Sequence, residues 1–342
     1  MNTTTTHTPA AATSADARAK PVWSAQRIAG LVVTLVVLYA AVPLALGQNL
    51  YLMSLAVASL TIAGIALAWA LLGNLGGMVS FGHSAFFGVG SYISALLTLK
   101  AGWPVFPAML AGGVGASVAS LAMAPALRLK GPYFALAILA YAQIFRIVAT
   151  EWSGLTGGAS GLSSIPALPK LLGVDFGSKS GGYVVILTLV LAFALLYAKL
   201  RGSNVGLALR AMHESEDATR VVGVNSVILK LAMLMLSALM TGLVGAFNAH
   251  YINFLEPDYA FNASWAVVPI IAAICGGYRT ILGPLVGAVS VYLIDQLVLK
   301  SLLPTGHQIV LGMLLVAMII VSPAGLTALR FKRTGRGVHA AG

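Results

Sequence analysis

The sequence predicts an all-α integral membrane protein, and three observations support this fold class. Hydrophobic residues make up 59% of the 342 residues and charged residues only 8%, whereas a soluble domain carries about 25% charged residues. The mean hydropathy is +0.93. Apolar runs of about 20 residues, the length that crosses about 30 Å of hydrocarbon, recur along most of the chain. We therefore expect about ten transmembrane helices.

Ten apolar stretches can be placed in order, of which the eighth and tenth are short. They are Ile28–Leu46, Leu50–Leu72, Val79–Leu99, Trp103–Leu127, Pro132–Thr150, Gly182–Ala198, Val227–Tyr251, Ser264–Cys275, Ile281–Leu299 and Gln308–Val321. The first ends without a small-residue cleavage site, so we interpret it as a retained helix and not as a signal peptide. These stretches divide the chain into a tail (1–27) predicted to be disordered and cytoplasmic, a membrane domain (28–326) and a basic cytoplasmic tail (327–342).

The basic residues predict the topology. The formal net charge is +11, but Lys and Arg lie at helix ends and not along one polar face, which favours membrane orientation over nucleic-acid binding. With a cytoplasmic N-terminus, fifteen basic residues fall inside, four fall outside and Arg146 lies within a span. Both termini are therefore predicted to be cytoplasmic.

Two connections are long. The outer loop (151–181) is rich in Gly, Ser and Pro, which are unsuited to a helix interior. The inner loop (202–226) contains a short helix signal: Ser215 can cap it, Glu216 and Arg220 form a favourable i,i+4 pair, and Gly223 takes the C′ position. Ala218, Val221 and Val222 would form a small apolar face on this helix. The inner loop is either a docking surface for a soluble protein or a solvated connector.

Small residues recur at every fourth position from Gly76 through Ser80 and Ser84 to Gly88. Such a stripe favours close helix packing in a membrane, although the neighbouring glycines also allow a broken or re-entrant helix that lines a cavity. A similar pattern returns 200 residues later at Gly276, Gly277 and Thr280. This internal similarity either marks a repeat or has arisen by chance.

Several catalytic classes lack their motifs. No Gly-Lys dipeptide occurs, so the chain has no phosphate-binding P-loop. The histidines are scattered singly, which provides no metalloprotease site. The single Cys275 lies in an apolar run and is assigned to packing. Asp295 is the one acidic residue within a span, and we interpret it as an interfacial or helix-pairing residue in preference to a proton carrier.

Five stretches carry a resemblance to a known family. They are GNLGGMVSFGHSAFFGVGSYISALL (73–97), LRLKGPYFALAILAYAQIFR (127–146), LTGGASGL (155–162), ALRAMHESEDATRVVGVN (208–225) and CGGYRTILGPLVGA (275–288). Together they resemble the M-type permease subunits of high-affinity branched-chain amino acid importers of the ATP-binding-cassette (ABC) class, over most of residues 28–326. The fold that this implies is the ABC importer permease fold.

The resemblance implies which residues contact the ATPase. In the family's E-A-A-x-x-x-G signature, Asp217, Ala218 and Thr219 stand for the leading residues and Gly223 for the glycine, with Asp replacing Glu and Thr replacing the second Ala. The general signature's downstream Leu-Pro is also absent, as is typical of this family. The coupling residues implied in this inner loop are Arg210, Glu214, Glu216, Asp217, Ala218, Arg220 and Gly223.

The resemblance also implies the partners: a second homologous permease, two ATPase subunits that bind ATP, and an external substrate-binding protein. The outer loop would dock that binding protein through Thr156, Gly157 and Gly158. The chain itself would be a non-catalytic subunit without a cofactor, in the bacterial cytoplasmic (inner) membrane. Branched-chain amino acids are the implied substrates, with urea, short amides or aromatic acids as alternatives within the family.

Polar side chains within apolar spans are the candidates for lining the translocation path. They are Ser80, His83, Tyr133 and Gln143. Two other classes of protein remain as alternatives. An ion-coupled secondary carrier is disfavoured by the lack of acidic residues deep in the spans, and a membrane enzyme is disfavoured by the lack of a nucleophile, base or metal cluster.

Overall fold

The computed structural model describes residues 30, 33–129, 131–171, 173–221, 223–304 and 306–321. The predicted tails at 1–27 and 327–342, the start of the first span at Ile28, and Val222 lie outside these described residues. The chain divides into two compact units, Met1–Ala45 and Leu46–Gly342. The first unit contains most of α1 (Val33–Leu46), a short apolar helix with a π-helical turn at Val37–Ala41.

In the second unit, eight helices of the described ranges are long and apolar enough to cross a membrane. They are α2 (Leu50–Leu75), α3 (His83–Ala101), α4 (Val105–Arg128), α5 (Pro132–Glu151), α6 (Lys179–Arg201), α9 (Ser226–Ile252), α10 (Pro257–Gly276) and α11 (Leu282–Leu302). The inner loop adds α7 (Asn204–Glu214) and α8 (Glu216–Val221), and the last helix is α12 (His307–Val321). All ten predicted stretches contain a helix, which confirms the all-α membrane fold class, although α1 and α12 are shorter than a typical span.

The centre of this unit is α2, since 83% of its most apolar stretch is buried, whereas the corresponding figure for α5 is 22%. The helices α3, α4 and α9 pack against one another at very short range because glycines face each other. A Cβ atom at Gly90 would overlap the backbone of Gly242, and one at Gly245 would overlap the carbonyl of Phe87. Association without water depends on such van der Waals fit.

The predicted small-residue stripe is only partly a helix-packing surface. Helix α3 starts at His83, four residues later than the predicted Val79, so Gly76 and Ser80 do not lie on it. Gly77 has a φ of +66°, which a residue with a side chain rarely adopts, and the backbone leaves the helix there. Gly88 does pack closely, against the ring of Phe261. The segment between α2 and α3 is therefore an irregular connection.

The internal similarity between residues 76–80 and 276–280 extends to their structure. Gly277 also has a positive φ, +103°, at the end of α10. The Ser80 hydroxyl accepts a hydrogen bond from the Gly82 amide at 3.2 Å, and the Thr280 hydroxyl accepts one from the Gly283 amide at 2.9 Å. In both places a glycine ends one helix, and a hydroxyl accepts a hydrogen bond from a backbone amide near the start of the next.

The outer loop is attached to the end of α9. It contains a small hairpin of β1 (Lys170–Leu171) and β2 (Val174–Asp175), and Leu162 pairs with Leu255 as in an antiparallel sheet. His250 of α9 connects the loop to α3, because Nδ1 contacts the Pro166 carbonyl at 2.8 Å and Nε2 contacts the Ser94 hydroxyl at 2.8 Å. These contacts fix the loop on the helices, although its sequence forms little regular structure.

Candidate functional site

Helix α8 forms where the sequence predicts it. The Ser215 hydroxyl accepts a hydrogen bond from the Ala218 amide at 3.3 Å, which confirms the predicted N-cap. Glu216 and Arg220 form the predicted i,i+4 ion pair at 2.8 Å. Gly223 has a φ of +88°, in agreement with its predicted C′ position. Local sequence signals are therefore sufficient for this helix.

A long-range ion pair attaches α8 to the transmembrane helix α9. The second carboxylate oxygen of Glu216 lies 2.7 Å from Nζ of Lys230, and these side chains are only 19% and 14% exposed. The hydrogen bond from Lys230 lowers the pKa of Glu216 below its ordinary value. Arg220 reinforces the attachment by donating from Nε to the Ser226 hydroxyl at 2.9 Å. No local sequence pattern indicates these contacts across the α8–α9 turn.

The other side of α8 is open. Val221 is 88% exposed, and Asp217 and Ala218 are also exposed, whereas Thr219 is buried against the protein. The described part of the predicted apolar face, Ala218 and Val221, therefore points away from the packed interior. We call the exposed side of α8, with Gly223 at its end, the α8 surface.

Helix α7 was not predicted. Ser203 caps it by accepting from the Gly206 amide at 3.2 Å, and its buried residues Gly206, Leu209 and Met212 are spaced by three. This spacing is a helical signal that was present in the sequence. On the opposite side, Arg210 and Glu214 are exposed, so α7 extends the polar surface that α8 begins.

A cavity of about 860 Å³ lies behind these two helices. Four residues of the inner loop and α9 form one wall: Met212, His213, Glu216 and Lys230. The irregular segment after α2, the end of α4 and the start of α5 form the remainder, with Gly76, Gly77, Met78, Val79, Phe81, Leu127, Leu129, Gly131, Pro132, Phe134, Ala135, Leu136 and Leu139. The cavity is therefore mainly apolar, with one ion pair in its wall.

Gly77 determines how closely α7 approaches this cavity. The imidazole of His213 packs directly against it, so that a Cβ atom at residue 77 would lie 2.5 Å from His213 Nδ1. The positive φ of Gly77 also excludes most other residues. This position therefore requires glycine for two independent reasons.

None of the four predicted path residues lines this cavity. Ser80 and His83 are fully buried, where the Ser80 carbonyl accepts from the Trp69 indole at 3.1 Å and His83 Nε2 contacts the Ser237 hydroxyl at 3.0 Å. Tyr133 is 71% exposed. Ser80 and His83 are thus held by packing and hydrogen bonds, and Tyr133 lies on the surface.

Gln143, the fourth predicted path residue, is half-buried on α5. It lies four residues after the cavity-lining Leu139 and three before Arg146, so all three share one face of the helix. Arg146 forms an ion pair with Asp258 at 2.7 Å. The sequence could not predict this pair, because its partners are 112 residues apart.

The predicted docking residues of the outer loop are largely internal. Thr156 is buried, and its hydroxyl donates to the Ala149 carbonyl at 2.6 Å. Gly158 is buried as well and Gly157 is half-buried. Their role in the loop is conformational, since both glycines have positive φ. The exposed residues next to them include Trp152, which is 57% exposed.

Asp295 is buried at the start of a π-helical turn in α11, and its Oδ2 accepts from the Gln296 side-chain amide at 3.2 Å. Cys275 is buried in α10, as its apolar surroundings predict. Within the described ranges, no group of three or more His, Cys, Asp or Glu side chains is arranged to hold a metal ion.

Span-length helices around an apolar cavity define the protein as a multi-pass membrane transport permease. The chain belongs to the family described as "Branched-chain amino acid transport system / permease component", which residues 51–319 match. This finding confirms the resemblance carried by the five sequence stretches.

Two groups of relatives are similar to the chain. The "High-affinity branched-chain amino acid transport system permease protein LivM" of Salmonella typhimurium is 29% identical over 324 residues, covering 82% of this chain and 75% of the relative. The Escherichia coli protein of the same name is 29% identical over 301 residues, covering 79% and 69%. The LivH permease protein of Escherichia coli is 23% identical over 289 residues, covering 78% and 91%. No solved structure matches the chain.

Proposed function

We propose that the chain is the permease subunit of an ABC importer that moves branched-chain amino acids across the bacterial cytoplasmic (inner) membrane. Membership of the permease family supports this substrate class. The relatives named LivM and LivH are both permease proteins of high-affinity branched-chain amino acid transport systems. Since the chain is similar to both, we infer that it pairs with a second, homologous permease.

The observation that carries the ATP-driven mechanism is the attachment of α8. Its outer side is exposed, whereas its inner side is held to α9 by the Glu216–Lys230 ion pair. A soluble ATPase that docks on the α8 surface can therefore move a transmembrane helix directly. In this proposal two ATPase subunits bind and hydrolyse ATP, and the permease has no cofactor or catalytic residue of its own.

The coupling residues of the proposal are those of the inner loop. Asp217, Ala218 and Gly223 lie on the α8 surface, and Arg210 and Glu214 extend it along α7. Glu216 and Arg220 hold α8 in place. On the opposite side of the membrane, an external binding protein would deliver the substrate to the outer loop.

Copurification followed by reconstitution tests this function. We expect the chain to purify with an ATPase and a second permease, and the complete complex to accumulate leucine in vesicles only with ATP and the loaded binding protein. Sustained uphill uptake by this chain alone, driven by an ion gradient, would instead establish a secondary carrier. Uptake of urea, a short amide or an aromatic acid, without leucine, would retain the ATP-driven mechanism and change the substrate.

A further inference from the structure

One face of α5 runs continuously from the inner cavity toward the outer side of the membrane. The cavity-lining residues Ala135 and Leu139 begin this face. Gln143 and Arg146 continue it, four and seven residues after Leu139, as the helical period requires. The neighbouring face of α5, formed by Phe134, Ile138, Ala142 and Ala149, is buried against the protein, and Phe134 also borders the cavity.

Along this face, the first charged group is Arg146. It lies five residues before the end of α5 at Glu151, which places it about 7.5 Å below the outer end at 1.5 Å per residue. Its Nη1 atom is 2.7 Å from Oδ1 of Asp258, and the two side chains are 42% and 78% exposed. The face thus has an apolar inner part and one exposed ion pair near its outer end.

This ion pair has unused hydrogen-bonding capacity. Nε of Arg146 is shielded from solvent and has no hydrogen-bond partner among the described residues. A guanidinium usually binds a carboxylate through two parallel donors, and here only Nη1 contacts Asp258. The two side chains are therefore joined through Nη1 alone, and the Asp258 carboxylate stays exposed.

We propose that Arg146 and Asp258 bind the charged group of a zwitterionic amino acid as it enters the permease. The substrate carboxylate would accept hydrogen bonds from Arg146, and its ammonium would donate to Asp258. Each protein charge exchanges one partner for another, so that no charge is left unpaired during entry. This inference rests on the proposed function, because it assumes that an amino acid passes along α5.

The apolar part of the same face suits the substrate's side chain. Below Arg146 the face presents Gln143 and then Leu139, where it opens into the cavity. The cavity volume of about 860 Å³ is within the usual range of about 300–1,000 Å³ for small-molecule sites. Once released from the ion pair and moving inward, the substrate's aliphatic side chain would pass Gln143 and reach the apolar groups at Leu139, about 10.5 Å below Arg146. Compounds without both charges, such as a short amide, would leave the ion pair closed.

The test uses the complete importer, reconstituted in vesicles with its ATPases and external binding protein. Arg146→Gln and Asp258→Asn each remove one charge with little change in shape. We expect the maximal rate of leucine uptake to fall about 10- to 100-fold, the effect of losing one charge-assisted hydrogen bond. The concentration of loaded binding protein that gives half-maximal rate should not change, and stimulated ATP hydrolysis should continue.

Matched controls remove neighbouring charges. Glu256→Gln removes an acidic group two residues from Asp258, and Lys300→Gln removes a basic group at the outer end of α11. Neither residue forms an ion pair within the described ranges. Both controls should keep uptake within about twofold of wild type, because Lys300 is exposed, Glu256 is half-buried, and neither has an ionic partner to lose among the described residues. An equal loss of uptake in these controls would overturn the proposal.

The charge-reversed double variant, Arg146→Asp with Asp258→Arg, separates substrate binding from a purely structural role. It restores an ion pair but exchanges the positions of the two charges, so we expect uptake to stay low. Restored uptake would show that the pair only holds α5 in place and would overturn the proposal. An increased requirement for binding protein with an unchanged maximal rate would also overturn it, by identifying a docking contact.

The same experiment distinguishes the inference from the proposed function. Leucine uptake by wild type that is unchanged in Arg146→Gln and Asp258→Asn would overturn only the inference. A wild-type complex that transports urea or a short amide, but no leucine, would overturn the inference and the proposed substrate class, and would retain the ATP-driven mechanism.

Discussion

Replacing Lys230 by methionine would test whether the ion pair with Glu216 couples α8 to the membrane helices. Methionine keeps the length and the apolar character of the side chain but removes the ammonium group. In the structure that group lies 2.7 Å from the Glu216 carboxylate, and both side chains are more than 80% buried. After the substitution, Glu216 retains the ion pair with Arg220 at 2.8 Å.

The expected magnitude follows from this partial burial. Exposed ion pairs contribute about 0.2–1 kcal/mol, and removal of one partner from a fully buried pair costs about 3–5 kcal/mol. The Glu216–Lys230 pair lies between these limits, and Arg220 compensates part of the lost charge. We therefore expect a loss of about 1–2 kcal/mol in the free energy that holds α8 against α9, which is roughly a 5- to 30-fold change in the opening equilibrium.

Hydrogen exchange on the assembled importer measures this opening directly. The protection factors of the α8 amides should fall roughly 5- to 30-fold in Lys230→Met, while those in the centre of α2 remain unchanged. Uptake per ATP hydrolysed should fall as well, because the motion of the ATPase would no longer reach α9. Lys199→Met is the matched control, since it removes a basic charge at the inner end of α6 that forms no ion pair within the described ranges. Unchanged α8 protection together with wild-type uptake would refute this reasoning.

Three further predictions concern the same region. Val221→Asp or Gly223→Pro should abolish uptake without blocking membrane insertion. The first variant puts a charge on the α8 surface, and the proline of the second cannot adopt the φ of +88° found at residue 223. Wild-type uptake in both variants would contradict the coupling role. Gly77→Val should displace His213 and reduce uptake at least about tenfold. The valine side chain would overlap the His213 ring, and its backbone would be strained at the positive φ of residue 77. Normal uptake with a normally folded complex would contradict the packing argument. The pH dependence follows from Glu216, whose folded pKa is lowered, chiefly by Lys230, below the ordinary value of 4.5. The stabilising contribution of Glu216 is fully present above about pH 4.5 and is lost as the pH falls through the lowered folded pKa. The protection factors of the α8 amides should therefore be constant from about pH 7 to 5 and decrease only below that range. A decrease near pH 6 would contradict this assignment.

The sequence predicts helix α8 but not its attachment to α9, and the sequence separation of the interacting residues explains both results. The cap at Ser215, the Glu216–Arg220 pair and the turn at Gly223 all act within one or two helical turns, so the sequence alone indicates them. The contact between Glu216 and Lys230 depends on how the chain reverses after α8. No local pattern specifies that reversal, and the ion pair was consequently not predicted.

At the start of α3, by contrast, the local sequence pattern predicts the wrong helix boundary. Residues 79–82 are apolar or small and are predicted to begin the third span, but Gly77 has left the helical region and the helix starts only at His83. The irregular connection places Gly77 against the ring of His213, a tertiary contact 136 residues away in sequence that no local pattern indicates. Fold class was therefore predictable from composition, whereas the cavity wall was not.

The location of the Glu216–Lys230 pair simplifies the proposed coupling. Both side chains line the cavity, next to His213 and Met212 of α7. A force on the α8 surface would therefore act on the cavity wall directly and, through Lys230, on the adjoining end of α9. Further along, α9 is joined to α3 and α4 by close glycine contacts, so these three helices pack as one rigid unit. The least buried spanning helix, α5, borders the cavity on its opposite side. Motion of α7 and α8 relative to α5 would thus open or close the inner end of the path, while the Arg146–Asp258 pair remains at the outer end.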